Sequence, residues 1–195
     1  MIAMAKKVEF KPDKPRSSLL SKLYLTQKQR RSLLKWVLYG LTLLVLSVLQ
    51  DVILCRFHIF GATTELVPCG IFLICLLEGM ESGSLFALIA GSLYVFSGTA
   101  AGNYCIVFIT FIGIFTTFLR QSFVQKGFSA ALLCSFVAIL VYEMAVFFLG
   151  LFFGQTFLAR IGVFFLTAVL STLIVPILYP ILCAIGKIGG EPWKE

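Results

Sequence analysis

The sequence predicts an all-α fold, a polytopic membrane bundle of about six transmembrane helices. Residues 36–186 are almost entirely apolar, and ten of the sixteen Lys and Arg residues lie in the first 35 positions. A soluble domain needs a polar surface and cannot hide so much Leu, Phe, Ile and Val, whereas a membrane protein has lipid as its outer solvent. The hydrophobic fraction of 59% and the mean hydropathy of +1.01 are typical of an integral membrane protein.

Charge and hydropathy divide the chain into three parts. Residues 1–35 are expected to form a basic cytoplasmic tail, partly amphipathic because Leu residues are mixed with its cations. This composition suits an interfacial helix, so anionic lipid is the partner expected for the tail. Residues 36–187 are expected to form the six-helix membrane domain, and residues 188–195 a short cytoplasmic C-terminal tail. A nucleic-acid partner is not expected.

Six apolar runs are predicted as helices. The second and third runs are shorter than the roughly 20 residues that a span needs, so we expect their flanks to extend them or the chain to re-enter the membrane there. If both failed to span, the count would be four. Pro176 and Pro180 predict a bend in the last run. The runs cover residues 36–55, 68–77, 85–97, 105–119, 128–153 and 161–185.

The cations also predict an orientation. With the N-terminus in the cytoplasm, cytoplasmic segments hold fourteen of the Lys and Arg residues, and the outer loops hold only Arg56 and Arg160. The positive-inside rule therefore favours two cytoplasmic termini and an even number of helices. We expect a multi-pass membrane protein with both termini in the cytoplasm.

Polar residues inside the apolar runs are the candidates for function. Glu143 stands in the middle of the fifth run. Because an intramembrane carboxylate is costly, it should face the bundle interior with a partner or carry a proton. A packing hydrogen bond, a contact with another subunit, and a proton or substrate site all remain open for it. Phosphate-loop, nucleophile-elbow and zinc-protease motifs are absent from the sequence, and its six cysteines form no C-x-x-C pair. The sequence therefore predicts no enzyme, no cofactor and no metal site.

Small residues recur at i, i+4 spacing along the apolar runs. Such pairs let helices approach closely in lipid, where packing drives association. Gly98 and Gly102 also bracket a predicted helix break, so they could serve turn geometry instead. The pairs are Ala87 with Gly91, Gly98 with Gly102, and Gly150 with Gly154.

The second and third runs combine a proline-entered short helix with spaced glycines. Pro68 opens the short helix, and residues 90–102 read AGSLYVFSGTAAG. This arrangement resembles the rod shape-determining protein MreD family of bacterial inner-membrane proteins, whose second short helix ends in a pattern such as G-L-L-L-D-x-x-x-G-x-x-x-G. Gly98 and Gly102 match the spacing of the later glycines, whereas Tyr94 stands where the family has its acidic residue.

The first glycine of the family pattern is shifted to Gly91 here, and the resemblance covers roughly residues 40–187. It implies a non-enzymatic subunit of the bacterial cell-elongation machinery, which regulates cell shape. Such a subunit would bind the bitopic membrane protein MreC and link cytoplasmic MreB filaments to peptidoglycan synthases. The candidate residues for helix packing or partner contact are Tyr94, Gly98, Gly102 and Glu143.

A transporter subunit is the alternative. The substrate-binding subunits of energy-coupling-factor vitamin transporters have a similar length and helix number. Their first helix usually carries an A-x-x-x-A signature, whereas residues 36–50 contain no alanine. A vitamin would bind near the outer face, where the predicted loops offer a modest polar set: Arg56, His58, Glu65, Asn103, Gln155 and Arg160.

Overall fold

The computed structural model describes residues 27–56, 60–122 and 127–188, and its fold is all-helical, as the sequence predicts. Most of the predicted basic tail, almost all of the predicted C-terminal tail, His58 and Lys126 lie outside the described residues. The α-helices are α1 (Gln27–Val52), α2 (Leu66–Glu78), α3 (Met80–Phe96), α4 (Cys105–Ser122), α5 (Phe128–Phe152), α6 (Ile161–Thr172) and α7 (Val175–Ile188).

Two helices start earlier than the apolar runs predict. α1 begins at Gln27 rather than at residue 36, so the end of the basic stretch is helical and continuous with the apolar part. α3 begins at Met80 rather than at residue 85, and its first turn contains Glu81, where a carboxylate suits the partial positive charge of a helix N-terminus. Polar residues at a helix end do not interrupt the helix, because water or the helix dipole accommodates them there.

Two of the described helices are long and apolar enough to cross a bilayer, Gln29–Val52 and Phe128–Phe152. Leu158–Thr172 and Val175–Ile188 pass the same test together as a pair bent by 47°, which would make a third span. The helices α2, α3 and α4 are apolar but shorter. The chain is therefore a helical protein with apolar segments suited to a membrane, and the count of six spans stays a prediction.

The bend between α6 and α7 lies where the prolines predict it. Leu173 and Ile174 form the turn between the two helices, and Pro176 lies in the first turn of α7. Because Pro176 has no N–H to give to the Thr172 carbonyl, the helical ladder cannot continue through this point. Pro180 lies inside α7.

Helix α2 is the centre of the bundle. Residues 66–76 are all buried, and α2 contacts every other described helix. It runs antiparallel to α1, because its last residue, Glu78, meets Lys35, and its first residue, Leu66, meets Gln50. The two ends of α2 therefore lie near opposite ends of the bundle, and each end carries a polar cluster.

Glycines bring α3 and α4 close to each other and to α2. A Cβ atom at Gly113 would lie 2.7 Å from the Cβ of Ala87, and one at Gly83 would lie 3.1 Å from the Cys75 carbonyl oxygen. Gly91 is similarly close to Ile109, at 3.2 Å. Ala87 and Gly91, one of the predicted small-residue pairs, thus lie at a close helix contact of the kind that stabilises membrane bundles.

Candidate functional site

Polar side chains gather at both ends of α2. We call the first group the charge-paired cluster; it contains Lys35, Tyr39, Glu78 and Arg120. We call the second group the carboxyl cluster; it surrounds two acidic side chains and contains Gln50, Glu65, Tyr94, Cys105, Tyr142, Glu143 and Ser171.

The charge-paired cluster is centred on Glu78, the last residue of α2. One carboxylate oxygen pairs with the Lys35 ammonium, and the other accepts a 2.7 Å hydrogen bond from the Tyr39 hydroxyl. The Lys35 and Glu78 side chains are only 14% and 8% exposed. An ion pair that is this buried holds its partners strongly, because removing either would leave an uncompensated charge away from water.

The single residue Gly79 connects α2 to α3 next to this ion pair. Its φ of +92° and ψ of −178° are essentially restricted to glycine. Arg120, at the end of α4, donates a 2.7 Å hydrogen bond to the Leu77 carbonyl, one of the groups that the end of α2 leaves unpaired. An open depression of about 520 Å³ lies beside this turn, with Thr117 and Arg120 in its wall.

The carboxyl cluster begins with a cap on α2 that other helices supply. Gln50, near the end of α1, accepts hydrogen bonds from the backbone N–H groups of Leu66 at 2.9 Å and Val67 at 3.0 Å. The Glu65 N–H donates to the Ser171 hydroxyl of α6 at 2.8 Å. The first N–H groups of any helix have no partner within it, so Gln50 and Ser171 satisfy donors that would otherwise be buried and unpaired.

Two acidic side chains belong to this cluster. Glu143 of α5 is 2% exposed, and it interacts electrostatically with Glu65 in the connection before α2. Within the described part of the chain, Glu143 Oε1 and Glu65 Oε2 are buried and have no hydrogen-bond partner. A buried polar atom normally has a partner, so two unpartnered acidic oxygens in one cluster require an explanation.

The neighbours of Glu65 are neutral. The Tyr94 hydroxyl hydrogen-bonds to Glu65 and lies 3.5 Å from Gln50 Nε2. The Tyr142 hydroxyl lies beside the Cys105 thiol and close to Glu65. Burial raises the pKa of Glu65 to about 7, and the hydrogen bond with Tyr94 opposes the rise. The Glu65 carboxyl therefore keeps its proton to a higher pH than an exposed carboxyl does.

The residues predicted as sites fall in two places. Tyr94, which is 3% exposed, and Glu143 both belong to the carboxyl cluster. Gly98 and Gly102 lie in the connection between α3 and α4 instead. Gly98 has a φ of +80° and open space around it, whereas a Cβ at Gly102 would lie 2.5 Å from the ring of Tyr104. Gly98 thus serves the geometry of the turn, whereas Gly102 lies against the Tyr104 side chain.

Sequence analysis missed Gln50 and Ser171, and it named Glu65 only in the outer polar set of the transporter alternative. A signal for Gln50 was present, because Tyr39, Leu43, Leu46 and Gln50 repeat at helical spacing and form the side of α1 that faces α2. Glu65 directly precedes a helix that is entered through a proline, which is a common pattern of helix starts. No comparable pattern distinguishes Ser171 from the other hydroxyl residues of α6.

The two clusters offer different chemistry. The charge-paired cluster has its charges matched and fixes helix ends, whereas the carboxyl cluster can take up protons or a positively charged group. Among the residues that the structure describes, no group of three or more His, Cys, Asp or Glu side chains could hold a metal ion. The chain matches no protein-family model, no curated protein and no solved structure, so sequence pattern and geometry carry the functional argument.

Proposed function

We propose that the chain is a non-enzymatic integral membrane subunit of the bacterial cell-elongation machinery. The observation that carries this proposal is the α2–α3 hairpin, the stretch on which the resemblance to the MreD family rests. Pro68 lies in the first turn of α2, where its missing N–H leaves no hydrogen bond unmade. Gly98 follows α3 in a conformation that favours glycine. Pro68 thus lies where proline costs no hydrogen bond, and Gly98 lies where the backbone favours glycine.

The proposed role is to bind other proteins. An MreC-like bitopic protein would be the partner within the membrane, and through it the chain would link MreB filaments to the peptidoglycan synthases of the elongation complex. The basic N-terminal tail would lie on anionic lipid at the cytoplasmic surface. The close packing of α2, α3 and α4 supports a rigid subunit of this kind, because a scaffold has to hold its partners at fixed positions.

The orientation belongs to the same proposal: six crossings with both termini in the cytoplasm. The charged ends support it, because Lys35 and Arg120 lie at the Glu78 end of α2, and Gly186, next to Lys187, lies against Tyr39 at that end. Cysteine labelling from outside, in a variant without native cysteines, should modify a probe at Thr63 and spare one at Gln125. Labelling at Gln125 but not at Thr63 would contradict this orientation.

Depletion in the native bacterium tests the cellular role. Loss of the protein should round or widen the cells, and the wild-type gene should restore their shape. Gly113→Leu should fail to restore it, because the new side chain would collide with Ala87 at the α3–α4 contact. Gly40→Leu is the matched control, since Gly40 has no atom near its Cβ position and the variant should complement. Unchanged cell shape after depletion would contradict the proposal.

Purification in mild detergent separates the two function classes. The elongation subunit should co-purify with an MreC-like bitopic protein, which mass spectrometry of the purified material would identify. The transporter alternative predicts a stoichiometric vitamin that is released on denaturation. A retained vitamin without a bitopic partner would replace the elongation proposal with the transporter one.

A further inference from the structure

The carboxyl cluster has two acidic groups and lacks a cationic partner in the described part of the chain. Lys35 and Arg120 make their contacts at the opposite end of α2. The other cations whose exposure the structure describes are all exposed: Arg30, Arg31, Arg56, Arg160 and Lys187. The neighbours of Glu65 and Glu143 are hydroxyl, amide and thiol groups, which carry no positive charge.

The two acids also keep atoms available for a ligand. Glu143 Oε1 and Glu65 Oε2 are each buried without a hydrogen-bond partner among the described residues. The nearby backbone N–H groups are already bonded to Gln50 and Ser171, so they do not compete for these oxygens. The Tyr94 and Tyr142 hydroxyls supply further oxygen atoms close to Glu65.

The net charge of the two carboxyl groups limits which ligands the site can bind. A buried carboxylate is stable only if a proton or a cation neutralises it, and two that interact within one buried cluster need two positive charges between them. One proton shared by the pair leaves a single negative charge. Hard, compact cations prefer oxygen ligands, and the absence of three acidic ligands among the described residues speaks against a divalent ion.

We propose that Glu65 and Glu143 together bind one compact monovalent cation, an alkali ion or a primary ammonium group, through their unpartnered carboxylate oxygens. The cation lies between α5 and the start of α2, and it ties these two elements together. This site is independent of the cell-elongation role, since it is built within one chain. It would be present in a subunit of either function class.

Thermal unfolding of the full chain in detergent tests the proposal. Protein purified without alkali ions is titrated at pH 8 and constant ionic strength with sodium, potassium, methylammonium or tetraethylammonium chloride. At least one of the first three salts should raise Tm saturably, by about 5 °C or more at high occupancy. Tetraethylammonium should not, because it is too bulky. The salt that acts identifies the source of the cation, alkali metal or amine.

Two substitutions connect the effect to the site. Glu65→Gln and Glu143→Gln should each abolish the cation-dependent rise in Tm. Glu81→Gln, which alters an exposed acid at the other end of the bundle, should keep it. If one glutamine variant does not fold, the other still carries the test.

Three results would overturn the proposal. The first is a wild-type Tm that none of the small cations changes. The second is a cation effect that survives in the folded glutamine variants. The third is a Tm that rises on acidification with no cation effect at pH 8, because both carboxyls would then be neutralised by protons.

Discussion

At one end of α2 the Glu78 carboxylate is matched by Lys35 and Tyr39, whereas at the other end the interacting acids Glu65 and Glu143 have neutral neighbours. Both clusters are mostly buried, and both hold the end of the same central helix. In the first, every carboxylate oxygen has a partner. In the second, Gln50 and Ser171 cap the helix, and the acids take no part in the cap. The difference separates charge that fixes the fold from charge that remains available for a ligand.

Breaking the matched end should have the largest effect. Glu78→Gln would leave the buried Lys35 ammonium without a carboxylate, so we expect the free energy of unfolding to fall by about 3 kcal/mol. Chemical unfolding in detergent micelles measures this loss. Glu81→Gln, an exposed acid three residues later, should change it by less than about 0.5 kcal/mol. Equal losses of unfolding free energy in the two variants would show that the buried ion pair stabilises the fold no more than an exposed carboxylate does.

The packing contact between α3 and α4 should have the next largest effect. Gly113→Leu would overpack the place where α4 meets α3, at a cost of about 2 kcal/mol, because the Cβ position already lies 2.7 Å from Ala87. Gly40→Leu, on an open face of α1, is the control and should be neutral or slightly stabilising. The same unfolding assay measures both. A neutral Gly113→Leu would mean that α3 and α4 can separate without loss.

The two turns allow the ends to be compared directly. Gly79→Ala should cost about 2 kcal/mol, because its φ and ψ lie in a region that is essentially restricted to glycine. Gly98→Ala should cost about 1 kcal/mol, since it has positive φ but open space around it. Gly102→Ala should cost less than Gly98→Ala, because the Tyr104 ring that it would meet is a partly exposed side chain that can move. The reversed order would contradict this comparison.

A dependence on pH tests the carboxyl cluster itself. The pKa of Glu65 is raised from 4.5 to about 7 by burial, so the folded state binds more protons than the unfolded state between these values. In buffers without small cations, Tm should therefore be highest below pH 4.5 and fall as pH rises through about 7. The titratable groups that face Glu65 are Tyr94, Cys105, Tyr142 and Glu143. Glu65→Gln should flatten the profile, and an unchanged slope would assign the effect elsewhere.

The sequence predicts the helices better than it predicts the clusters. Apolar runs and two prolines are enough to identify the helices and the bend, because helix length and backbone chemistry are local properties. The Lys35–Glu78 pair joins residues 43 positions apart, and the Glu65–Ser171 hydrogen bond joins residues 106 apart. No local pattern encodes such pairings. Glu143 could be chosen from its position alone, but its neighbour Glu65 depends on how α2 enters the bundle.

The cap on α2 has a consequence for biogenesis. Gln50 is synthesised before α2, so the acceptor for the Leu66 and Val67 amides is available as soon as the helix forms. Ser171 emerges much later, and the Glu65 amide has to wait for it while the ribosome completes α5 and α6. Until Ser171 has been synthesised, the Glu65 amide therefore lacks the partner that it has in the folded chain. A chain truncated after α5 should accordingly be a better substrate for membrane proteases than the full chain, because its central helix lacks its last cap.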